Sequence, residues 1–259
     1  IPGAIEGVKY YLLPDFSKFS LKTVCAAMGQ MFYSMSLAMG IMITYGSYMR
    51  KEDNIESSVR QIEVFDTLVA FLSGLIIVPA VFVFSGGDEN ALNAGPSLMF
   101  ITLPNVFKEM LGGQIVGAVF FLLVVLAAMT SSISLMETVV SIVEERFHWK
   151  RIPSCLIVTG ISFLIGLLSV FGYSIWSDFT IFHMQFLDFF DYISNNIMMP
   201  IVALMTCVLV GFVVKTTFVE DEIEKNARFR VKGLYRVMIK FICPICMLLI
   251  LFSALFLKL

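Results

Sequence analysis

Three polar side chains inside apolar stretches of the sequence could bind a cation: Asp66, Thr130 and Ser131. A carboxylate within a membrane-length apolar run is costly to bury, so Asp66 predicts a functional site, beside a bound cation or as a proton exchanger. Adjacent hydroxyls and backbone carbonyls are oxygen ligands, which hard cations such as Na⁺ prefer. Each residue has a structural alternative. Asp66 could reach cytoplasmic water, and the hydroxyls could hydrogen-bond to backbone carbonyls.

The two hydroxyls belong to a longer pattern of small and polar residues at three- and four-residue spacing. Such spacing places residues on one face of a helix, which predicts either a lined site or close helix packing. Glu137 lies near the charged end of this stretch, so we interpret it as solvated or as part of a structural pair. The face comprises Ala127, Thr130, Ser131, Ser134, Thr138 and Ser141.

A second stretch whose residues could form a binding site is the apolar run from Gly29 to Tyr48, which is interrupted by hydroxyls and glycines. Leu and Ile would serve a plain membrane span better. Broken backbone survives in hydrocarbon only where it is buried in protein or lines a cavity, and such broken helices indicate transporter binding sites. The run is therefore interpreted as a substrate-site helix. The alternative is a Gly- and Ser-rich helix that packs closely on its neighbours.

The composition indicates a membrane protein. Of 259 residues, 58% are hydrophobic and 15% are charged, whereas soluble domains are about 45–50% apolar and about 25% charged. A net charge of −2 excludes a general basic surface for nucleic acid. Cys243 and Cys246 have the spacing of a redox or metal pair, but they lie in an apolar run without partner ligands and are interpreted as packing residues. The chain starts at Ile1 with no signal peptide, and we expect a longer protein.

The apolar runs predict about six membrane spans, each near the required length of about 20 residues. Residues 1–22 are predicted to form a loop with a short interfacial helix, and the Gly- and Pro-rich residues 85–112 a loop with short helices that could act as a lid. The spans are predicted at 23–49, 63–84, 114–143, 152–171, 180–214 and 237–257. Most lysines and arginines fall in the connectors that begin at Arg50, Glu144 and Lys215, which predicts that these connectors are cytoplasmic.

Several motifs resemble the neurotransmitter:sodium symporter family, in particular its bacterial branch. The resemblance covers nearly all of the chain. It rests on GQMFYSMSLAMGIMITYGSY at 29–48, DTLVAFLSGLIIVPAVF at 66–82, GPSLMFITLP at 95–104, LAAMTSSISLM at 126–136 and LDFFD at 187–191. It implies an all-α, leucine-transporter-like inverted-repeat fold, with this chain as helices 6 to 11 of an eleven-helix transporter. The lid lies between helices 7 and 8, and helices 1 to 5 are missing.

The resemblance also implies a set of site residues. The first sodium site would take oxygen ligands from Ser34 and Asp66, and many family members have Asn at the position of Asp66. The second sodium site would take the Ala127 carbonyl, Thr130 and Ser131. Asp191 matches an extracellular gate acid, whose arginine partner lies in helix 1. Met39 departs from the family because an aromatic residue is common there, which affects substrate preference. The implied substrate pocket comprises Tyr33, Ser34, Ser36, Met39, Ser131 and Leu135.

The function implied is sodium-coupled symport of an amino acid or related amine across the plasma membrane, in a bacterium across the inner membrane. The expected partners are the amino-acid substrate, the lipid bilayer and the missing helices 1 to 5. The expected cofactor is Na⁺, as two ions, with no organic cofactor. One alternative is a non-transporting amino-acid sensor or scaffold of the same fold. Another is an intramembrane enzyme, which is disfavoured because no catalytic constellation accompanies His148 and His183.

Overall fold

The computed structural model describes residues 4–86, 98–182 and 184–256, and these residues are mainly helical. The β pairing within them is an isolated bridge between Ile181 and Met184. The α-helices are α1 (Ala4–Leu12), α2 (Leu21–Ser34), α3 (Ile41–Tyr48), α4 (Ile55–Phe84), α5 (Leu103–Glu109), α6 (Gly113–Phe147), α7 (Arg151–Gly172), α8 (Phe186–Asp191), α9 (Met199–Val208), α10 (Thr216–Glu224), α11 (Lys232–Val237) and α12 (Cys243–Phe256). The predicted all-α class is confirmed.

Five helical segments in the described part of the chain are long and apolar enough to cross a membrane. They are Ile55–Val83, Gly113–Phe147, Arg151–Gly172, Phe186–Val213 and Lys232–Leu255. The remaining predicted span, residues 23–49, consists of the two shorter helices α2 and α3. Large hydrophobic side chains are exposed along all of these segments, as expected where lipid takes the place of water.

The π-helical stretch Leu209–Val213 is not followed by a proline, but three other π-helical stretches in the described residues end two positions before one. They are Leu98–Thr102, Tyr192–Met198 and Met238–Ile242, and they precede Pro104, Pro200 and Pro244. A proline ring has no N–H and clashes with the carbonyl four residues earlier, here the carbonyls of Phe100, Asn196 and Lys240. A π-helical stretch widens the turn at that carbonyl. The prolines therefore modify these helices without ending them.

The chain divides into two compact units. The first comprises residues 1–19 and 62–131, and the second comprises residues 20–61 and 132–259, so α4 and α6 each contribute to both. In the first unit, Val81 of α4 forms a buried core with Leu103 and Val106 of α5. Gly113 at the start of α6 lies so close to α5 that an added Cβ would be 1.7 Å from the Phe107 carbonyl oxygen.

Helix α1 packs along the second half of α4 within the first unit. Tyr10 stacks on Phe82 with ring centroids 5.1 Å apart, and the hydroxyl of Tyr11 donates a 3.2 Å hydrogen bond to the Phe71 carbonyl. Gly7 is buried against Pro79. The short helix predicted at the membrane interface is thus the α-helix α1, which packs against the membrane-length helix α4.

The second unit is built around α2, α9 and α12. Its buried core consists of Ala203 from α9 with Met247 and Ile250 from α12, and Met28 and Phe32 from α2 pack against it. Polar side chains also bridge these helices, since the Tyr192 hydroxyl donates a 3.2 Å hydrogen bond to the Ala254 carbonyl. The core thereby supports the end of α2, where the helix is interrupted.

The connector between α9 and α12 folds into the short helices α10 and α11. Arg236 of α11 donates two hydrogen bonds, of 2.7 and 2.6 Å, to the carboxylate of Glu220 on α10. The Glu220 side chain is only 3% exposed, and the hydrogen bonds from Arg236 hold the pKa of its carboxyl below the usual range. Asn226, between the two helices, donates to the carbonyls of Lys51 and Asp53 at 2.5 and 3.1 Å.

The largest difference between an observed and a predicted bound of the long spans is at the start of α4. Helix α4 begins at Ile55, within the connector predicted as charged loop, because Asn54 caps it: the Asn54 side-chain oxygen accepts a 3.0 Å hydrogen bond from the Ser57 amide. Part of the predicted lid, residues 87–97, lies outside the described residues. Its described end is helical, as the π stretch Leu98–Thr102 and α5.

Candidate ion and substrate site

The candidate site centres on the break between α2 and α3. Helix α2 ends at Ser34 and α3 begins at Ile41, so residues 35–40 are not helical. Two amides fold back onto α2, Ser36 to the Tyr33 carbonyl and Leu37 to the Phe32 carbonyl, both at 3.0 Å. The break turns the last carbonyls of α2 and the first amides of α3 into groups that need partners from outside their own helices.

Three residues in the break adopt the left-handed backbone conformation: Ser36 with φ of 53°, Ala38 with φ of 61° and Gly40 with φ of 82°. For a residue with a Cβ this conformation costs of the order of 1–3 kcal/mol and persists only when the surroundings impose it. Ala38 packs against the core around Met247. Ser36, an expected substrate residue, is therefore held in a strained backbone beside a packed core.

Helix α3 is fastened to α6 by polar and close contacts. The hydroxyls of Tyr45 and Ser134 are 2.5 Å apart. Gly40 approaches Thr138 so closely that an added Cβ would lie 2.8 Å from the Thr138 methyl group. The Thr138 hydroxyl itself donates a 3.0 Å hydrogen bond to the Ser134 carbonyl and is buried. In this half of α6 the predicted hydroxyl face is a packing surface.

The end of α3 joins a polar network with α6 and α7. The Tyr48 hydroxyl donates a 2.7 Å hydrogen bond to one carboxylate oxygen of Glu137. Arg151 donates a 2.6 Å hydrogen bond to the other oxygen, in an ion pair. Glu137 is thus part of a structural pair, one of the two interpretations that its position allowed.

Closer to the N-terminus of α6, the predicted second sodium site consists of oxygen atoms in one turn of helix. Thr130 donates a 2.9 Å hydrogen bond to the Ala127 carbonyl, and Ser131 follows directly. All three residues are exposed within the chain. A hydroxyl and a carbonyl each have two acceptor lone pairs, so this hydrogen bond leaves both oxygens able to coordinate a cation. Both alternatives, ion ligand and helix-internal hydrogen bond, are compatible with this geometry.

Asp66 lies about three turns into α4 and is half-buried. Because α4 begins at Ile55, helix extends on both sides of Asp66 within a single membrane-length segment, Ile55–Val83. The expected ligands of the first sodium site, Ser34 and Asp66, fall in different compact units. Ser34 is the last residue of α2 and is exposed.

The remaining predicted residues lie at the surface of their helices or in the break. Tyr33 and Leu135 have exposed side chains, and Met39 is half-buried in the non-helical residues 35–40. Asp191, the expected gate acid, is the last residue of α8. It is exposed, and one of its carboxylate oxygens accepts a 2.5 Å hydrogen bond from Asn195. Its roles as gate and in an outside ion pair stay predictions.

Sequence reasoning did not single out Tyr45, Tyr48 or Arg151, although the structure places them around the break and α6. The three-residue spacing of the two tyrosines, which puts both on one face of α3, was the available signal. Within the described residues, no three His, Cys, Asp or Glu side chains converge on a point. A site built from hydroxyl and carbonyl oxygens therefore suits an alkali cation better than a transition metal.

An interrupted helix beside a hydroxyl-bearing helix, among apolar helices of membrane length, defines a multi-pass membrane protein with the features of a secondary transporter. Comparison with known proteins gives the family: the model of the sodium:neurotransmitter symporter family matches residues 1–258. The chain belongs to the sodium:neurotransmitter symporter family.

The relatives are named as sodium-dependent transporters. An uncharacterized sodium-dependent transporter of Haemophilus influenzae is 34% identical over 257 residues, which are 99% of this chain and 55% of that protein. Sodium-dependent nutrient amino acid transporter 1 of Drosophila grimshawi is 25% identical over 257 residues, 96% of this chain and 39% of that protein. The chain thus spans about half the length of the bacterial relative and less of the insect one.

The fold is also that of a solved transporter. The crystal structure of MhsT in complex with L-phenylalanine matches with a TM-score of 0.86 and 30% identity, over 98% of this chain and 57% of that chain. The expected leucine-transporter fold is confirmed.

Proposed function

We propose that this chain is the C-terminal half of a sodium-coupled symporter for an amino acid or a related amine. The observation that carries the proposal is the break at residues 35–40, where Ser36 and Ala38 are held in left-handed conformations between α2 and α3. Helix ends exposed at such a break suit a carboxylate at the amide end and a cation at the carbonyl end, as in the leucine transporter of this family.

The relatives favour an amino-acid substrate. MhsT was crystallised with L-phenylalanine, and the Drosophila relative is named for nutrient amino acids. We propose that Tyr33, Ser34, Ser36, Met39, Ser131 and Leu135 contact the substrate. Met39 is flexible and polarizable, which suits a pocket that accepts large apolar side chains. Helices 1 to 5, which we propose precede this chain in the complete protein, would supply the other half of the pocket.

Two sodium ions are proposed. Ser34 and Asp66 would bind the first, and the Ala127 carbonyl, Thr130 and Ser131 would bind the second. Because substrate and the first ion would share Ser34, each raises the affinity of the other, and this coupling is reciprocal. The Asp66 carboxylate would supply negative charge at the first ion. In our proposal Asp66→Asn converts a chloride-independent transporter into one that requires chloride.

The test is uptake of labelled amino acids by the complete protein in proteoliposomes, with sodium or choline outside. We expect sodium-dependent uptake of one or a few amino acids. Thr130→Ala should raise the sodium concentration that gives half-maximal uptake by about tenfold or more, the factor that corresponds to about 1.4 kcal/mol. Thr206→Ala is the matched control, since the Thr206 hydroxyl also bonds to a carbonyl of its own helix, that of Val202 at 2.8 Å.

The outcomes separate the candidate functions. Sodium-dependent binding of an amino acid without uptake would replace the symporter with a sensor of the same fold. Equal effects of Thr130→Ala and Thr206→Ala would remove Thr130 from the proposed ion site. Folded protein that responds to no amino acid would reject this substrate class.

A further inference from the structure

The connector that leads into the last span is rich in charge, and the structure divides its basic residues into two groups. Residues 215–240 contain seven basic and four acidic residues. Three of the basic residues form ion pairs: Arg236 with Glu220 at 2.6 Å, Lys232 with Glu224 at 2.5 Å and Lys225 with Glu222 at 2.5 Å. These pairs use three of the four acids. The Arg236 and Lys232 pairs join α11 to α10, and the Lys225 pair is local to the end of α10.

Arg228 and Arg230 belong to the other group. In the described part of the chain neither guanidinium forms an ion pair with an acid, and both side chains are exposed. Phe229 between them packs against Tyr235 of α11, with ring centroids 5.6 Å apart. The backbone between the two arginines is therefore anchored to α11 by an aromatic contact.

Their position is next to the membrane. The last membrane-length segment runs from Lys232 to Leu255, so Arg230 precedes it by two residues. A basic segment directly beside the cytoplasmic end of a membrane helix is attracted to anionic lipid headgroups, by about 1 kcal/mol for each Lys or Arg. The planar guanidinium group binds phosphate oxygens in a bidentate manner, which a lysine cannot do.

We propose that Arg228 and Arg230 bind the headgroup phosphate of an anionic phospholipid in the inner leaflet. The site lies outside the proposed ion and substrate residues. It needs only that the chain is embedded in a membrane with the connector that begins at Lys215 on the cytoplasmic side, as the sequence predicts. An acidic protein segment would offer the same charge, but the arginines adjoin the bilayer surface, where anionic lipid is at high local concentration. Failure of this proposal would leave the proposed sodium coupling unaffected. Failure of the proposed sodium coupling would likewise leave this lipid site unaffected.

The experiment titrates the complete purified protein, in neutral detergent, with phosphatidylglycerol. Lipid binding is measured by native mass spectrometry and by the rise in Tm. We expect Arg228→Gln with Arg230→Gln to weaken phosphatidylglycerol binding by roughly fivefold for each arginine removed. Phosphatidylcholine should bind the native protein and the variant equally. Arg228→Lys with Arg230→Lys should retain most of the charge-driven binding and shows whether the altered segment still folds.

The control with the same change in net charge is Lys9→Gln with Lys22→Gln, two exposed lysines in the segment predicted to be extracellular. The proposal is overturned if this control loses as much phosphatidylglycerol affinity as the arginine variant, or if the arginine variant binds as well as the native protein. Competition by soluble glycerol 3-phosphate at equal concentration would make this a site for free phosphate and not for lipid. Tighter binding of a polyglutamate peptide than of phosphatidylglycerol at the two arginines would instead indicate an acidic protein partner.

Discussion

The hydroxyl of Tyr48, at the end of α3, donates a 2.7 Å hydrogen bond to the carboxylate of Glu137 on α6. A tyrosine hydroxyl inside a membrane protein needs a partner because lipid offers none. This contact fixes the end of the helix that follows the break. Any separation of the end of α3 from Glu137 would break it, so its strength contributes to the stability of the state described.

The first prediction concerns the strength of this contact. Tyr48→Phe removes the hydroxyl and keeps the ring, and we expect it to lower the free energy of unfolding by about 1 kcal/mol, typical of such a hydrogen bond. A double-mutant cycle with Glu137→Ala, which removes the acceptor, is measured by thermal denaturation in detergent and should give a coupling energy of about 0.5–1.5 kcal/mol. Tyr173→Phe, at an exposed tyrosine after α7, is the control. Additive effects of the two substitutions would mean that the contact contributes nothing.

The second prediction concerns the strained backbone of the break. Ala38→Gly relieves the left-handed conformation at φ of 61° but loses the methyl contact with the Met247 core. We expect these effects to offset each other, with a change in unfolding free energy within about 0.5 kcal/mol. Ala128→Gly, in the regular helix α6, should instead cost about 1 kcal/mol. Equal losses in Tm for the two variants would show that the break is not strained.

The third prediction is a pH dependence at the α10–α11 contact. The hydrogen bonds from Arg236 lower the pKa of Glu220, so the native state binds the proton less readily than the unfolded state. The pair therefore stabilises the protein fully above the ordinary Glu pKa of about 4.3, and this contribution is lost as the pH falls through the lowered pKa.

Thermal denaturation between about pH 7 and pH 3 tests the sign. The native protein should lose more stability on acidification than Glu220→Gln, which has no carboxyl to protonate. Glu222→Gln is the control because its partner Lys225 is exposed and the pair is a surface contact, worth at most about 1 kcal/mol. Parallel acid curves for the native protein and Glu220→Gln would contradict the assigned cause.

The fourth prediction tests the close approach of α5 and α6. Gly113→Ala would place a Cβ 1.7 Å from the Phe107 carbonyl oxygen. Backbone must move to admit it, so we expect a loss of roughly 2–4 kcal/mol or a failure to fold. Gly160→Ala in α7 meets no atom within 4 Å and should gain about 0.5–1 kcal/mol from helix propensity. A change of Tm in the same direction for both variants would contradict the close packing of Gly113 against α5.

Much of the architecture could be predicted from the sequence because the membrane imposes simple length and polarity requirements. Glycines and hydroxyls in the run from Gly29 to Tyr48 indicated an interrupted helix, and two helices separated by residues 35–40 are observed. The start of α4 was missed although Asn54, a residue type that commonly caps helices, marked it. The charges that follow Asn54 outweighed this signal in the interpretation.

Other features depend on contacts that no local pattern contains. The roles of Tyr45, Tyr48 and Arg151 arise from the packing of α3 and α7 on α6, and Asn226 contacts carbonyls about 175 positions away in the chain. Likewise, seven basic residues in one connector look alike in the sequence, and only ion pairing separates Arg228 and Arg230 from Lys225, Lys232 and Arg236. The candidate ion ligands stay predictions because a hydroxyl bonded to its own helix is compatible with both roles.

The π-helical stretch Tyr192–Met198 also changes how the fifth membrane span must be interpreted. A π turn accommodates one residue more than an α turn, and each residue advances an α-helix by about 100°. The angular phase of the side chains is therefore reset by about one residue between α8 and α9. A single helical wheel drawn through Phe186–Val213 would assign Asp191 and Thr206 to the wrong relative faces. For this span, any choice of positions for labelling or cross-linking should use separate wheels for the two sides of Asn196. A further wheel is needed after Val208, because a second π-helical stretch occupies Leu209–Val213.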